Sequence, residues 1–220
     1  MTHAASRHRI LDRLRAAPIQ EVAAPNPAAF YDQRPREDLS TRLERLALNL
    51  KNAMAEVHRT TSSSLPADLA KVIQDKSLNQ IAVGGELLAR QGLCDRIQTV
   101  CALRPVQSVH SEQRVLFEEA DAGLTLSYAS IAETGTIVLR SSPQSPRLLS
   151  LVPPVHIVIV DTHRLYDTLF DLIHQEGWSE GLPTNVILVS SPSKTADIQQ
   201  TLAYGAHGPK QLVVMLVEDR

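Results

Sequence analysis

A chain of 220 residues with 43% hydrophobic and 21% charged residues can bury one large core without disulfides. The formal net charge of -2 gives no attraction to polyanions, which argues against nucleic-acid binding. No apolar stretch approaches the roughly 18 to 20 residues of a membrane span, and no apolar run follows the charges of the first residues. We therefore expect a cytoplasmic protein without a membrane span.

The N-terminal residues predict a helix followed by an arm. Residues 6–17 place Ile10, Leu11 and Leu14 on one helical stripe. Four prolines between residues 18 and 35 then interrupt regular hydrogen bonding. We interpret residues 1–36 as an appendage, and 37–220 as an α/β domain.

The domain opens with a helical lead-in over residues 38–76. From Asp38 to Val57 the apolar positions step by three or four, which predicts a helix of about five turns. This helix either packs on the core or docks on a partner. A second helix follows Pro66 and runs to about Lys76.

Strands and helices then alternate. Several of the strands are continuous apolar runs, as expected for strands covered on both faces. The fold class is therefore α/β, with a mostly parallel sheet that helices cover on both faces. We predict strands at 80–83, 99–103, 124–126, 136–139, 156–160, 186–189 and 212–217, and helices at 85–91, 111–120, 145–151, 163–175 and 193–202.

The two cysteines are unsuited to a metal centre. Cys94 and Cys101 stand seven positions apart, whereas iron-sulfur clusters and structural zinc sites generally use four ligands at short spacings. Flavin and nicotinamide fingerprints are also missing from the sequence. We expect no metal and no cofactor, and interpret both cysteines as small hydrophobic residues.

Polar side chains immediately precede the strand at 136–139. They are Glu133, Thr134, Gly135 and Thr136. A carboxylate here can act as a general base or bind hydroxyl groups, and glycine lets the backbone approach a ligand closely. The alternative is that Glu133 caps a turn or pairs with a nearby cation.

A second polar segment follows the strand at 186–189, where we predict the start of a helix. Capping by hydroxyls explains most of this segment, but Lys194 opposes the helix dipole unless an anion is bound there. With both segments on one sheet edge, we predict a cleft for a small anionic or hydroxylated ligand. The candidate residues are Ser191, Ser193, Lys194, Thr195 and Asp197.

His207 and Gly208 form a third candidate group, on a turn before Pro209. A histidine on a flexible turn can reach a ligand or a partner. It can equally hydrogen-bond to the local backbone, because the surrounding sequence has no acid or histidine at metal-ligand spacing.

Four segments occur in this order along the chain: Ala132 to Thr136, the set Leu149, Leu151, Pro153, His156 and Ile157, Ser193 to Gln199, and Gly205 to Pro209. Together they resemble the lactate utilization protein C family. The similarity covers roughly residues 80–220. Lys194 stands where the family has arginine, so a bidentate contact with a carboxylate or phosphate is lost, and Gln199 stands where the family has glutamate.

The resemblance implies both a fold and a role. The fold would be like that of ribose-5-phosphate isomerase, glucosamine-phosphate deaminase and coenzyme A transferases. The role would be that of an accessory subunit in oxidation of L-lactate to pyruvate, not a catalyst on its own, with separate iron-sulfur subunits as partners. The alternative is an independent enzyme or a sensor acting on a phosphorylated or carboxylated small molecule.

Overall fold

A computed structural model describes residues 3–17, 25–106, 112–196, 202–205 and 207–219. These residues fall into two compact units, within residues 1–35 and within residues 36–220, and each is described by itself. The first contains helices α1 (His3–Arg15) and α2 (Pro27–Tyr31). Ile10 and Leu14, on the stripe predicted for the first helix, are exposed.

The second unit contains the sheets and the remaining helices of the described residues. No helix in the described ranges is long and apolar enough to cross a membrane. The helices are α3 (Leu39–Asn52), α4 (Leu65–Asp75), α5 (Gly85–Leu88), α6 (Gln91–Gln98) and α7 (Leu169–Gln175), with a π-helix at Val115–Glu119 and 3-10 helices at Arg147–Ser150 and Thr162–Arg164. The strands are β1 (Glu56–Thr60), β2 (Gln80–Val83), β3 (Ala102–Pro105), β4 (Ala122–Leu126), β5 (Ala129–Ile131), β6 (Thr136–Arg140), β7 (Val155–Asp161), β8 (Leu165–Tyr166), β9 (Val186–Val189), β10 (Lys194–Ala196), β11 (Leu202–Tyr204) and β12 (Gln211–Val217).

A parallel six-stranded sheet forms the centre of this unit, in the order β1-β12-β7-β4-β2-β3. Its four inner strands, β12, β7, β4 and β2, are buried on both faces. The edge strands β1 and β3 are mostly exposed or half-buried. Along β12, Val213 and Met215 pack with α4 and α6, whereas Val214 and Leu216 pack with α3. The predicted α/β class with a mostly parallel, doubly covered sheet is confirmed.

A second sheet lies beside α3, in the order β8-β5-β6-β9. Its strand β6 runs antiparallel to both neighbours, β5 and β9. One face contributes Ile137 and Leu139 to the core shared with α3, and the other packs with Leu172 of α7 and with Trp178. The sequence placed β6 and β9 in the same sheet as the parallel strands, and that was wrong.

The predicted helix from Asp38 to Val57 is too long. It begins as expected, because the Asp38 side chain accepts a hydrogen bond from the Thr41 backbone N–H. It ends at Asn52, and Met54 adopts a left-handed φ of 71° that turns the chain into β1. The sequence missed β1 because this edge strand is half polar and its partner, β12, lies more than 150 residues later.

The predicted helix at 193–202 is wrong over its described part. Lys194–Ala196 and Leu202–Tyr204 pair as the antiparallel strands β10 and β11. Asp197 lies outside the described residues. Lys194 therefore does not start a helix, and the argument from the helix dipole no longer applies to it.

The predicted helix at 163–175 begins later than expected. The Thr168 side chain accepts a hydrogen bond from the Asp171 N–H, and Asp171 accepts one from the Thr168 N–H, which forms a capping box. This box starts α7 at Leu169 and leaves the preceding residues free to form β8.

Candidate functional site

The two predicted polar segments meet at one end of the four-stranded sheet. Strand β6 begins where β9 ends, with Ile137 opposite Val189. Just beyond this pair, the Thr136 and Ser190 hydroxyl oxygens lie 2.8 Å apart. The predicted juxtaposition on one sheet is confirmed for the described residues.

The segment around Glu133 contacts α3. The Asn49 side-chain amide donates to the carbonyl oxygens of Ala132 and Glu133 at 3.1 and 3.0 Å. The Glu133 N–H donates to the Asp167 carbonyl at 3.0 Å. These contacts hold the segment between the helix and the β8 region, so its backbone has a structural role.

Gly135 is needed for this contact. Its φ is +60°, and a Cβ added there would lie 2.5 Å from the Asn49 Cβ. The sequence predicted that this glycine brings the backbone close to a ligand. The structure shows that it brings the backbone close to α3.

Two arginines of α3 fix the neighbouring loop. Arg42 donates to the Leu165 carbonyl at 2.8 Å, and Arg45 pairs with both Glu37 and Asp167. Nothing in the local sequence distinguished these arginines from the other charged residues of an amphipathic helix. Their partners lie more than 120 residues away, apart from Glu37.

Five of the other candidate residues, Ser191, Ser193, Lys194, His207 and Gly208, line a cleft of about 480 Å³. We call it the serine-lysine cleft, and its polar lining includes Ser190, Ser191, Ser193, Lys194, His207 and Gly208. Its volume lies within the range typical of small-molecule sites. Glu133, Thr134 and Gly135 do not line it, and Thr136 reaches it only through its hydrogen bond with Ser190. Thr195 follows on β10, and its side chain is outside the described part.

Backbone hydrogen bonds join the two sides of the serine-lysine cleft. The Ser193 N–H donates to the Pro209 carbonyl, and the Gly205 N–H donates to the Ser193 carbonyl, both at 2.8 Å. A Cβ added to Gly208 would lie 3.2 Å from the Ser193 Cβ. The Lys194 and His207 segments are thereby fixed side by side.

The charge at the cleft comes from Lys194, which is exposed. Among the described residues, no carboxylate lies within ion-pair distance of it. His207 is also exposed. The cleft therefore presents one permanent cation, Lys194, beside the Ser193 hydroxyl, a combination that suits a small anion.

His156 lies at the inner wall of the cleft and was not predicted to take part. It is 1% exposed, and its Nε2 lies 2.8 Å from the Thr125 hydroxyl oxygen. Burial lowers the His156 pKa to about 4, so the ring is neutral at pH 7. The feature of the sequence that could have indicated this role is a histidine within an otherwise apolar strand.

The cleft lies at the amino ends of β7 and β12, marked by His156 and Leu212. Ligands of open α/β sheets usually bind at the carboxyl ends of parallel strands. The sequence predicted a cleft where strands give way to helices. The structure instead builds it from the end of β9 and the β10-β11 hairpin.

The cysteines and the acidic residues show no grouping suited to a metal in the described ranges. Cys94 is buried, and burial raises the pKa of Cys101 to about 11, with a further contribution from Asp121. Both side chains are therefore protonated thiols at neutral pH, which are poor nucleophiles and poor metal ligands.

A sequence model of the LUD domain matches residues 43–217. This chain belongs to the LUD domain family. The LUD domain thus spans all of the central sheet and the serine-lysine cleft. The resemblance to the lactate utilization protein C family is confirmed by the relatives described next.

Three relatives illustrate the similarity of this LUD domain protein to known chains. An uncharacterized protein of Neisseria meningitidis serogroup B is 37% identical, over 96% of this chain and 93% of its own. Lactate utilization protein C 1 of Bacillus mycoides is 32% identical, over 75% of this chain and 74% of its own. Lactate utilization protein C of Bacillus subtilis is 36% identical, over 47% of this chain and 45% of its own.

A solved structure shares the fold of this LUD domain. It is a DUF162 family protein from Deinococcus radiodurans, with a TM-score of 0.61 and 22% identity, and the match covers 83% of this chain and 100% of the other. The more specific likeness to isomerases and coenzyme A transferases stays a prediction.

Proposed function

We propose that this protein takes part in oxidation of L-lactate to pyruvate, as an accessory component that works with separate iron-sulfur subunits. The observation that carries the proposal is its 32% identity to lactate utilization protein C 1 over 75% of the chain. The role of the serine-lysine cleft would be to bind a small carboxylate of this pathway.

The chemistry of the cleft supports this assignment. Lys194 offers a positive charge to a carboxylate, and the Ser193 hydroxyl can donate to a 2-hydroxyl or 2-keto oxygen. The Ser191 hydroxyl donates to the Pro192 carbonyl and can accept from a 2-hydroxyl. His156 is neutral and buried, so it shapes the wall without adding charge. These groups bind and orient a ligand.

Oxidation of lactate also requires an acceptor for a pair of electrons. Two cysteines cannot supply the four thiolates that iron-sulfur clusters usually need. On this proposal the electrons pass to clusters held by other subunits, and this chain contributes ligand binding or assembly. The proposed site of action is the cytoplasm.

The isolated protein is expected to show no lactate-dependent reduction of a redox dye. Adding the iron-sulfur proteins of the same lactate system should give turnover, and leaving this chain out of that mixture should lower it. Dye reduction, with iron analysis of each purified sample, is the measurement. Lactate oxidation by the isolated chain would contradict the accessory role. So would an equal rate of dye reduction by the iron-sulfur proteins with and without this chain.

Lys194→Ala is expected to weaken pyruvate binding by about threefold to tenfold, because it removes the permanent cation of the cleft. Thermal stability should hardly change, since the side chain is exposed. Calorimetric titration with pyruvate and with L-lactate measures the effect, and Lys71→Ala, at an exposed lysine on α4, is the control. Equal affinity in wild type and both variants would show that Lys194 does not hold the anion.

The alternative is an enzyme or sensor for a phosphorylated small molecule. It is favoured by the compact lysine charge beside several hydroxyls, which suits a phosphate as well as a carboxylate. The same calorimetric titration with inorganic phosphate distinguishes this alternative from the carboxylate-binding proposal. Phosphate binding at Lys194 that is much tighter than pyruvate binding would favour the alternative.

A further inference from the structure

A second pocket lies at the other end of the β6-β9 pair, where Arg140 stands opposite Val186. Its volume is about 380 Å³. We call it the arginine-tyrosine pocket, and the lining that matters is Tyr128, Arg140, Ser141, Glu176, Trp178 and Leu182. It shares no lining residue with the serine-lysine cleft.

Two guanidinium groups stack on one aromatic ring at this pocket. The Arg140 Cζ lies 4.3 Å from the centroid of the Tyr128 ring, and the Arg164 Cζ lies 4.6 Å from it. Cation-π contacts hold both arginines in place without neutralising them. Arg140 is therefore positioned at the wall while its charge remains available.

The fixed charges around this ring do not cancel. Glu176 accepts hydrogen bonds from the hydroxyls of Tyr128 and Tyr166, and lies 3.9 Å from Arg164 Nη1. Burial alone would raise the pKa of Glu176, but the tyrosine hydrogen bonds and the arginine charges outweigh it and hold the pKa below its usual value. One carboxylate thus faces two guanidinium groups, and within the described part of the chain Arg140 has no carboxylate in ion-pair contact.

The rest of the wall is mixed, with polar Ser141 and Thr184 beside the apolar side chains of Trp178 and Leu182. Trp178 is 9% exposed and packs into the outer core of the four-stranded sheet, while one side of it borders the pocket. Leu182 is 77% exposed at the rim. A ligand here can place an apolar body along Trp178 and Leu182 and a negative group at Arg140.

We propose that the arginine-tyrosine pocket is a binding site for a small organic carboxylate with a flat apolar body. The carboxylate pairs with the Arg140 guanidinium, which can make two parallel hydrogen bonds to it. The flat body lies beside Trp178. This site is separate from the serine-lysine cleft and does not depend on the function proposed for that cleft.

Trp178 makes a direct test possible, because it is the only tryptophan in the sequence. Its fluorescence comes from a side chain that lines this pocket, and the Lys194→Ala variant checks for binding in the other cleft. We expect benzoate to change the Trp178 emission in a saturable way, and acetate, which has no flat body, to do so only at higher concentration. Free N-acetyltryptophanamide, titrated in parallel, corrects for collisional quenching.

Arg140→Gln should weaken benzoate binding by about tenfold or more, and Arg140→Lys should weaken it less, because it keeps the charge but loses the bidentate geometry. Arg147→Gln, a matched loss of an exposed arginine seven residues away, should bind benzoate like the wild type. Lys194→Ala should also bind benzoate with the affinity of the wild type.

A melting curve of each variant accompanies the titration. If Arg140→Gln melts like an unfolded chain, the comparison rests on Arg140→Lys, whose affinity should still fall below that of the wild type. Non-saturable quenching in the wild type, or equal affinity in the folded Arg140 variants, would overturn the proposal. Loss of binding in Lys194→Ala would place benzoate in the other cleft and overturn it as well.

Discussion

Gly135→Ala is expected to lower the free energy of unfolding by about 2 to 4 kcal/mol, from left-handed strain and overpacking together. The φ of +60° disfavours any residue with a Cβ, and the added Cβ would lie 2.5 Å from the Asn49 Cβ, against the body of α3. Urea unfolding followed by circular dichroism measures the change.

Two other glycines separate these causes. Gly177 has a φ of +65° with no atom within 4 Å of an added Cβ, so Gly177→Ala should show the backbone strain alone, about 1 kcal/mol. Gly92, on α6, has neither feature, and Gly92→Ala should be neutral or slightly stabilising. A Gly135→Ala cost no greater than that of Gly177→Ala would mean that α3 moves away from the loop easily.

Protein stability is expected to fall by about 3 kcal/mol as pH drops from 6.5 to 4, because of His156. Burial lowers its pKa in the folded protein to about 4 from an ordinary value of 6.5. In this interval the unfolded chain takes up a proton that the folded protein does not. The stabilisation is therefore complete above pH 6.5 and is lost towards pH 4.

The variant His156→Gln isolates this effect. Glutamine has no titrating group, so the stability difference between wild type and variant should shrink as pH falls through this interval. Urea unfolding at several pH values measures this, and parallel curves for wild type and His156→Gln would show that His156 titrates normally.

The local part of the fold could be predicted from the sequence. The strands at Gln80–Val83 and Val186–Val189 were predicted with their observed bounds, because each is a short apolar run between polar turns. The division into two sheets could not be predicted, because it depends on which strands pair with partners that are distant in the sequence. The same limitation hid β1, which pairs with β12 at the edge of the sheet.

The candidate site was predicted in part, for a similar reason. Ser191, Ser193 and Lys194 were found because hydroxyls and a cation cluster after a strand, although a hairpin and not a helix follows. The α3 contact of Gly135 was not found, because a glycine needed for a ligand and one needed for a helix look alike in sequence. The contacts of the glycine in the folded protein distinguish these two roles.

The position of β12 has a consequence for how the chain folds during synthesis. Residues 211–217 insert between β1 and β7, so the sheet cannot close while those residues are still in the ribosome. Until then, within the described part of the chain, β1 lacks its strand partner and one edge of β7 stays unpaired. Such long-range pairing slows folding and exposes apolar edges to aggregation. Protection of the nascent chain by chaperones should therefore matter most just before β12 emerges.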